Sequence, residues 1–170
     1  FTPLEGLPMG TRSGDIDPAL IQYVMEKEKI SIDEVMNILN KKSGLLGITG
    51  KFADRRDIKE AGAAGDVRAR LALEIQAYHL VHYIGAYAAV MGGLDALVFT
   101  AGGGEHDAEL RAAVTGQFSF LGLALDKEKN NRTLGTDGII SAPGSKVAVC
   151  VVHTNEEYVY AAAVAEILKG

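Results

Sequence analysis

Residues 97–107 read LVFTAGGGEHD, an apolar run that ends in three consecutive glycines. The stretch from Leu94 to Thr100 has the length and the aromatic and β-branched content of a buried strand. Glycines in a row raise the entropic cost of folding and offer no side chain to pack, so they persist where the backbone turns sharply or is approached closely. At the carboxyl end of a strand and just before a helix, exposed backbone N–H groups suit a nucleotide. A tight turn and a nucleotide-binding segment are therefore both open readings of Gly102, Gly103 and Gly104. A dinucleotide fingerprint would need a further glycine where Asp107 stands, and no second βαβ half follows. The lysine of a Walker loop is also absent, so neither an oxidoreductase nor a P-loop enzyme fits.

On the C-terminal side, a helix is expected near Ala108 to Gly116 and a strand region over Phe118 to Asp126. NNRTLGTDG (130–138) reads as a loop. Ile139 to Ser141 and Lys146 to His153 read as strands, and Thr154 and Asn155 cap a terminal helix. On the N-terminal side, residues 66–91 keep apolar positions at near-helical spacing and predict a helix roughly 39 Å long. Earlier still, Asp17 and Pro18 read as an N-cap and first helical residue, and Ser31 with Glu34 forms a capping box. The patch from Ser43 to Gly50 is too short to classify, and Asp54 caps a short helix running to Ala61. Helices alternate with strands in the second half while the first half is nearly all helix. The expectation is an α/β fold with several large helices around a small sheet.

The chain has 170 residues, of which 48% are hydrophobic and 23% charged, with a formal net charge of −5. That length suits one domain with its own core. A mildly acidic chain has no general attraction to nucleic acid or anionic lipid, and no apolar run approaches the roughly 20 residues that span a bilayer. The lone Cys150 lies in an apolar strand and reads as a small core residue. A single cysteine leaves no internal disulfide, which suits a reducing cytoplasm. The opening FTPLEGLPMG lacks an initiator methionine and reads as if cut from something longer.

Four further groups could carry chemistry. Arg12, among Thr11, Ser13 and Gly14, could grip a phosphate with its forked guanidinium, or pair with Asp15 or Asp17. Asp54, Arg55, Arg56 and Asp57 place two guanidinium groups at a helix start, which a salt-bridged helix end explains equally well. Glu156 and Glu157 lie where the clearest strand meets the last helix; they suit a Mg²⁺ ligand acting through water, or a favourable helix-terminal charge. His79 and His82 stand three apart on the long helix, with no pattern around them to complete a metal site.

Taken in order, FTPLEGLPMGTRSGDIDP, NKKSGLLGITG, DRRDI, ALEIQAY, VFTAGGGE and TNEE resemble the C-terminal half of the acetate kinase family, which propionate kinases share. The resemblance covers nearly the whole chain. It implies a ribonuclease H-like (actin-like ATPase) domain, incomplete here, with residues 1–170 as the nucleotide-binding part. It further implies reversible transfer of the γ-phosphoryl of ATP to a short carboxylate, acetate or propionate, with Mg²⁺ as cofactor, in a cytoplasmic homodimer joined through this domain.

By the same resemblance, Arg12 of the G-T-R segment steadies the phosphoryl group in flight. Asp54, Arg55 and Arg56 match a nucleotide segment, Gly102, Gly103, Gly104, Glu105 and His106 an adenosine loop, and Glu156 the magnesium-associated glutamate. The chain departs from the family pattern at Gly103, where isoleucine is usual, and at His106 and Asp107, where an asparagine–serine pair is usual. It departs again at Phe52 and Ala53, which replace small polar residues, and at His153, which replaces a proline. The family's carboxylate pocket, catalytic aspartate, acyl-phosphate histidine and phosphate loop belong to its N-terminal half. This chain alone is therefore expected to keep part of the nucleotide site without catalysing transfer. A non-catalytic dimerisation fragment, marked by exposed Tyr83 and Tyr87, is the alternative.

Overall fold

Residues 2–169 are described by a computed structural model, which leaves the side chain of Glu156 outside the description. The chain divides into two compact units, one ending at Ala86 and the other beginning at Tyr87.

The first unit is helical. It comprises α1 (Ala19–Glu28), α2 (Ile32–Lys41), α3 (Gly44–Thr49), α4 (Arg55–Ala63) and most of α5 (Val67–Met91). Asp17 Oδ1 accepts from the Ala19 N–H at 2.9 Å, so Pro18 precedes the first helical residue rather than being it. At α2 the capping box is complete: Ser31 Oγ accepts from the Glu34 N–H, and the Glu34 carboxylate accepts from the Ser31 N–H at 2.8 Å. The unclassified patch is α3, and Asp54 caps α4 through the Arg56 N–H. Leu45, Ile58, Ala69 and Ala72 form the buried centre, with Ile48, Phe52, Ala61 and Leu73 packed on it. Gly62 brings α4 against the α5 backbone, where a Cβ would lie 3.6 Å from the Arg70 nitrogen.

The second unit holds the sheet. Its strands are β1 (Ala96–Phe99), β2 (Gly138–Ile139) and β3 (Ala148–Val151), in the order β1-β3-β2. β1 runs parallel to β3, with Phe99 beside Val151, and β2 runs antiparallel to it. Period-two alternation buries Val149 and Val151 with Phe99, and Leu110, Val114 and Phe118 of the same unit are buried as well. The opposite face carries Val98, Cys150 and Ile139, of which Val98 and Ile139 are exposed and Cys150 is half-buried rather than a core residue.

Between β1 and β2 lie α6 (Ala101–His106), α7 (Ala108–Thr115), a 3₁₀ helix (Gly116–Leu121) and α8 (Lys127–Arg132); α9 (Glu156–Leu168) follows β3. Three expectations are corrected here. Phe118 to Asp126 is not a strand region: it opens as a 3₁₀ turn that buries Phe118 and exposes Phe120, two residues a strand would place on one face, and its sheet-like pairing among the described residues is the isolated bridge of Leu125 to Ser141. The supposed loop from Asn130 begins as helix, because Asp126 caps α8 by accepting from the Lys129 N–H at 3.0 Å. The glycines form no turn either: they are the body of α6, and the sharp bend falls on Ala101, whose φ is 58°. No helix of the described residues is long and apolar enough to cross a membrane.

Candidate functional site

Parallel pairing places the carboxyl ends of β1 and β3 side by side, and the Val152 N–H donates to the Phe99 carbonyl at 2.9 Å. The segments that leave those strands, α6 and the β3–α9 turn, therefore share one end of the sheet, where open α/β sheets bind ligands. They enclose a cavity of ≈ 560 Å³ lined by Ala101, Gly102, Glu105, His153, Thr154, Asn155 and Glu157.

Glu105 ties the two segments together. Its carboxyl is buried; Oε1 accepts from the Thr154 N–H at 2.9 Å and Oε2 lies 2.6 Å from His153 Nδ1. The Thr154 amide, and then the His153 ring, hold this carboxyl down at about 2. It is therefore ionised and can only accept, so His153 Nδ1 carries the proton between them. Thr154 returns the tie: its hydroxyl accepts from the Ala101 N–H at 3.2 Å and pairs with the Thr100 hydroxyl. Asp137 Oδ1 accepts from the His153 N–H at 2.7 Å and steadies the turn from the β2 side.

The depression of Glu105 has a sign. Its folded value lies below the ordinary glutamate value of 4.5, so its contribution to stability is complete above that pH and is lost as the pH falls from 4.5 towards 2. The Glu105→Gln variant is expected to melt less steeply with acid across that window than the unsubstituted chain. Equal slopes in melting temperature against pH would contradict the coupling.

The glycines differ in what surrounds them. A Cβ on Gly102 would meet open space, one on Gly103 would touch Leu110 Cδ2 at 3.5 Å, and one on Gly104 would press the Phe99 carbonyl carbon at 3.2 Å. Gly104 is thus required by the close approach of α6 to β1, whereas Gly102 leaves the cavity side of α6 bare. His106 is exposed and covers Gly135, where a Cβ would come within 2.6 Å of its Cε1.

The other expected residues belong to the first unit. Arg12 sits in a segment pinned on both sides, with the Ser13 N–H donating to Leu39 O at 2.9 Å and the Ser43 N–H to Thr11 O at 2.9 Å. Its guanidinium reaches only Met9 Sδ, at 3.8 Å, and has no carboxylate partner among the described residues. The alternative pairing with Asp15 or Asp17 is absent: Asp15 accepts from the Gly6 N–H at 2.6 Å and from the Tyr83 hydroxyl. Gly10 packs against the Ala53 carbonyl oxygen, where a Cβ would come within 2.9 Å, so the Arg12 segment adjoins the Asp54 segment. There Asp54 and Arg56 form a two-pronged pair at 2.7 and 3.1 Å, which brings Asp54 down to about 2, and Arg55 Nη1 donates to Gln76 Oε1 on α5. His79 keeps a buried Nδ1 without a partner and His82 is exposed. Among the described residues no three His, Cys, Asp or Glu side chains stand close enough to hold a metal.

Sequence reasoning missed Arg111 and Asn130, both buried beneath α6. The available signal was position: Asp107, Arg111, Val114 and Phe118 fall at core spacing, and a basic residue in that row had to be satisfied internally.

A parallel β1–β3 pair with a cavity at its carboxyl end is the ligand-binding arrangement of an open α/β sheet, and the solved structures share this fold. The acetate kinase of Porphyromonas gingivalis superposes with a TM-score of 0.91 at 45% identity, over 98% of this chain and 42% of that one. A propionate kinase from Francisella tularensis superposes with a TM-score of 0.84 at 40% identity, over 92% of this chain and 39% of that one. The architecture is thus that of the actin-like ATPase fold. The Acetokinase family profile matches residues 1–162, and the acetate kinase of Thermoanaerobacterium thermosaccharolyticum is 57% identical over 162 residues, covering 95% of this chain and 40% of its own length. The chain belongs to the acetokinase family. It spans about two fifths of the length of the curated relatives it matches.

Proposed function

We propose that this chain is the nucleotide-binding part, residues 1–170, of a kinase that moves the γ-phosphoryl of ATP reversibly onto acetate. The observation that carries the reading is the cavity at the carboxyl ends of β1 and β3, walled by Gly102 on one side and by Thr154, Asn155 and Glu157 on the other. In this reading the bare face of α6 at Gly102, with Gly103, Gly104, Glu105 and His106 behind it, receives the adenosine part of the nucleotide. Asp54, Arg55 and Arg56 serve the nucleotide from their own unit, and Arg12 stabilises the phosphoryl group in flight.

Mg²⁺ is the proposed cofactor. The oxygen donors of Asn155 and Glu157 that line the cavity fit Mg²⁺, which keeps most of its water and takes one or two carboxylates together with substrate phosphates. Glu156 is the proposed water-mediated ligand; its backbone opens α9 beside the cavity, and its side chain lies outside the described residues. When bound, the ion neutralises phosphate charge. The chain's own contribution is to hold the nucleotide and to aim Arg12.

The catalytic assembly is proposed to need the remaining length of the family enzyme, to act in the cytoplasm and to pair as a homodimer through this part. Likeness to the Francisella propionate kinase supports propionate as the alternative acceptor. Exposure of Tyr87, Val90 and Met91 on α5 supports a dimerisation role, whereas Tyr83 is half-buried with its hydroxyl on Asp15 and adds no support.

The test is calorimetric titration of this chain with ADP, with and without Mg²⁺, beside Glu156→Ala. Binding that tightens with Mg²⁺ in the unsubstituted chain but not in the variant supports the reading. Binding indifferent to both Mg²⁺ and the substitution would count against Glu156, and no binding at all against the nucleotide site.

A further inference from the structure

Arg111 is fully buried on α7, and each of its five N–H groups has an oxygen to donate to. Nη1 donates to the Gly104 carbonyl at 2.7 Å and to the Glu105 carbonyl at 3.0 Å. Nη2 donates to the Asn130 and Thr133 carbonyls, both at 2.7 Å, and Nε donates to Asn130 Oδ1 at 2.8 Å. Asn130, itself buried, donates from Nδ2 to the Ala108 carbonyl at 2.8 Å. One guanidinium thus gathers the carboxyl end of α6, the end of α8 and the chain just beyond it.

A buried cation is costly unless every proton is satisfied, and a planar fork of five donors suits several fixed carbonyls in a way a lysine cannot. The carbonyls it holds belong to Gly104 and Glu105, the backbone that carries the carboxylate latched to His153 and Thr154. Glycines alone would leave α6 poorly determined, since a six-residue helix with three of them has little intrinsic stability. Arg111 does not line the cavity, so its influence there must pass through α6.

We propose that Arg111, oriented by Asn130, is a positioning residue for the nucleotide cavity: it fixes α6 from beneath so that Glu105 reaches the β3–α9 turn and Gly102 faces the ligand. This rests on the nucleotide reading given above. It implies that the substitution of glycine at position 103 is tolerated because order in α6 is imposed by α7 and α8 rather than by α6 itself.

The test compares the whole chain with Arg111→Lys, Asn130→Ala and Val114→Ala. Val114 is fully buried one turn along α7 and its side chain has no hydrogen-bonding group, so it controls for stability alone. The readouts are melting temperature, ADP affinity by calorimetry, and the ¹⁵N resonance of His153 Nδ1. Arg111→Lys is expected to weaken ADP at least tenfold and to shift the His153 resonance. Asn130→Ala is expected to do the same to a smaller degree, and it supplies the result if Arg111→Lys does not fold. Val114→Ala should lower the melting temperature while leaving affinity within twofold and the resonance in place. Unchanged affinity and resonance in the folded Arg111 or Asn130 variant would overturn the proposal, as would equal changes in Val114→Ala. If the unsubstituted chain binds no ADP, the nucleotide reading is what fails, and the His153 resonance alone decides whether Arg111 positions α6.

Discussion

Gly44→Ala is expected to cost about 3 kcal/mol or more of folding stability, far beyond an ordinary glycine substitution. Gly44 opens α3 with φ at 59°, and a Cβ there would fall 2.1 Å from Met9 O and 2.5 Å from Arg12 O. Those oxygens are backbone and cannot swing away. Met9 O is held by the Leu45 N–H at 2.9 Å and Arg12 O by the Met9 N–H at 3.0 Å, and the Leu46 N–H donates to Gly10 O at 2.9 Å beside them. Relief would require the segment bearing Arg12 to lift off α3, losing these bonds together. Gly92→Ala provides the comparison: its φ of 76° is also left-handed, yet a Cβ there meets nothing within 4 Å. It should cost only about 1 kcal/mol. Denaturant midpoints at unchanged slope would read both, and similar losses in the two variants would show that the close approach to Arg12 has no energetic weight.

The second large effect belongs to chemistry. In the complete enzyme of the proposed function, Arg12→Ala should lower kcat by about 10³-fold or more while KM for ATP moves little. The argument begins from an unneutralised charge: Arg12 has no carboxylate partner among the described residues, while its neighbours Thr11 and Ser13 are tied to Asn40 O and Leu39 O. A cation held by rigid flanks and left unpaired is available to negative charge that develops during transfer. Arg12→Lys keeps the charge without the planar fork and should recover only part of the loss. A kcat within tenfold of the parent in Arg12→Ala would remove this residue from the transition state.

What could be read from the chain before its fold was known depended on how local the cause was. The capping box of Ser31 and Glu34 and the cap at Asp54 are satisfied within three residues, so their helices were legible down to the first turn. The long helix α5 was legible as a helix but not by its buried face: Leu71, Tyr78 and Val90 of the apolar spacing are exposed, while Ala69, Ala72 and Ala88 are buried. α6 was not, since glycine opposes helix and the order is imposed by Arg111 from below and Phe99 alongside. Phe118 to Asp126 misled for a related reason: apolar residues two apart mark a strand only where a neighbouring strand is present, and β3 already has both its partners. At the candidate site the residue types were visible, whereas the pairing of Glu105 with His153 and Thr154 joins positions 48 and 49 apart and has no sequence signature.

The outward face of the sheet has a practical side. Val98 and Ile139 flank Cys150 there in the folded chain, so a fluorescent dye that reports apolar surface has a foothold before any unfolding begins. The same patch offers the thiol to maleimide-type reagents beside a greasy collar. Melting curves for this protein are therefore better followed by circular dichroism than by dye, and a label on Cys150 would report on whatever comes to rest against the sheet.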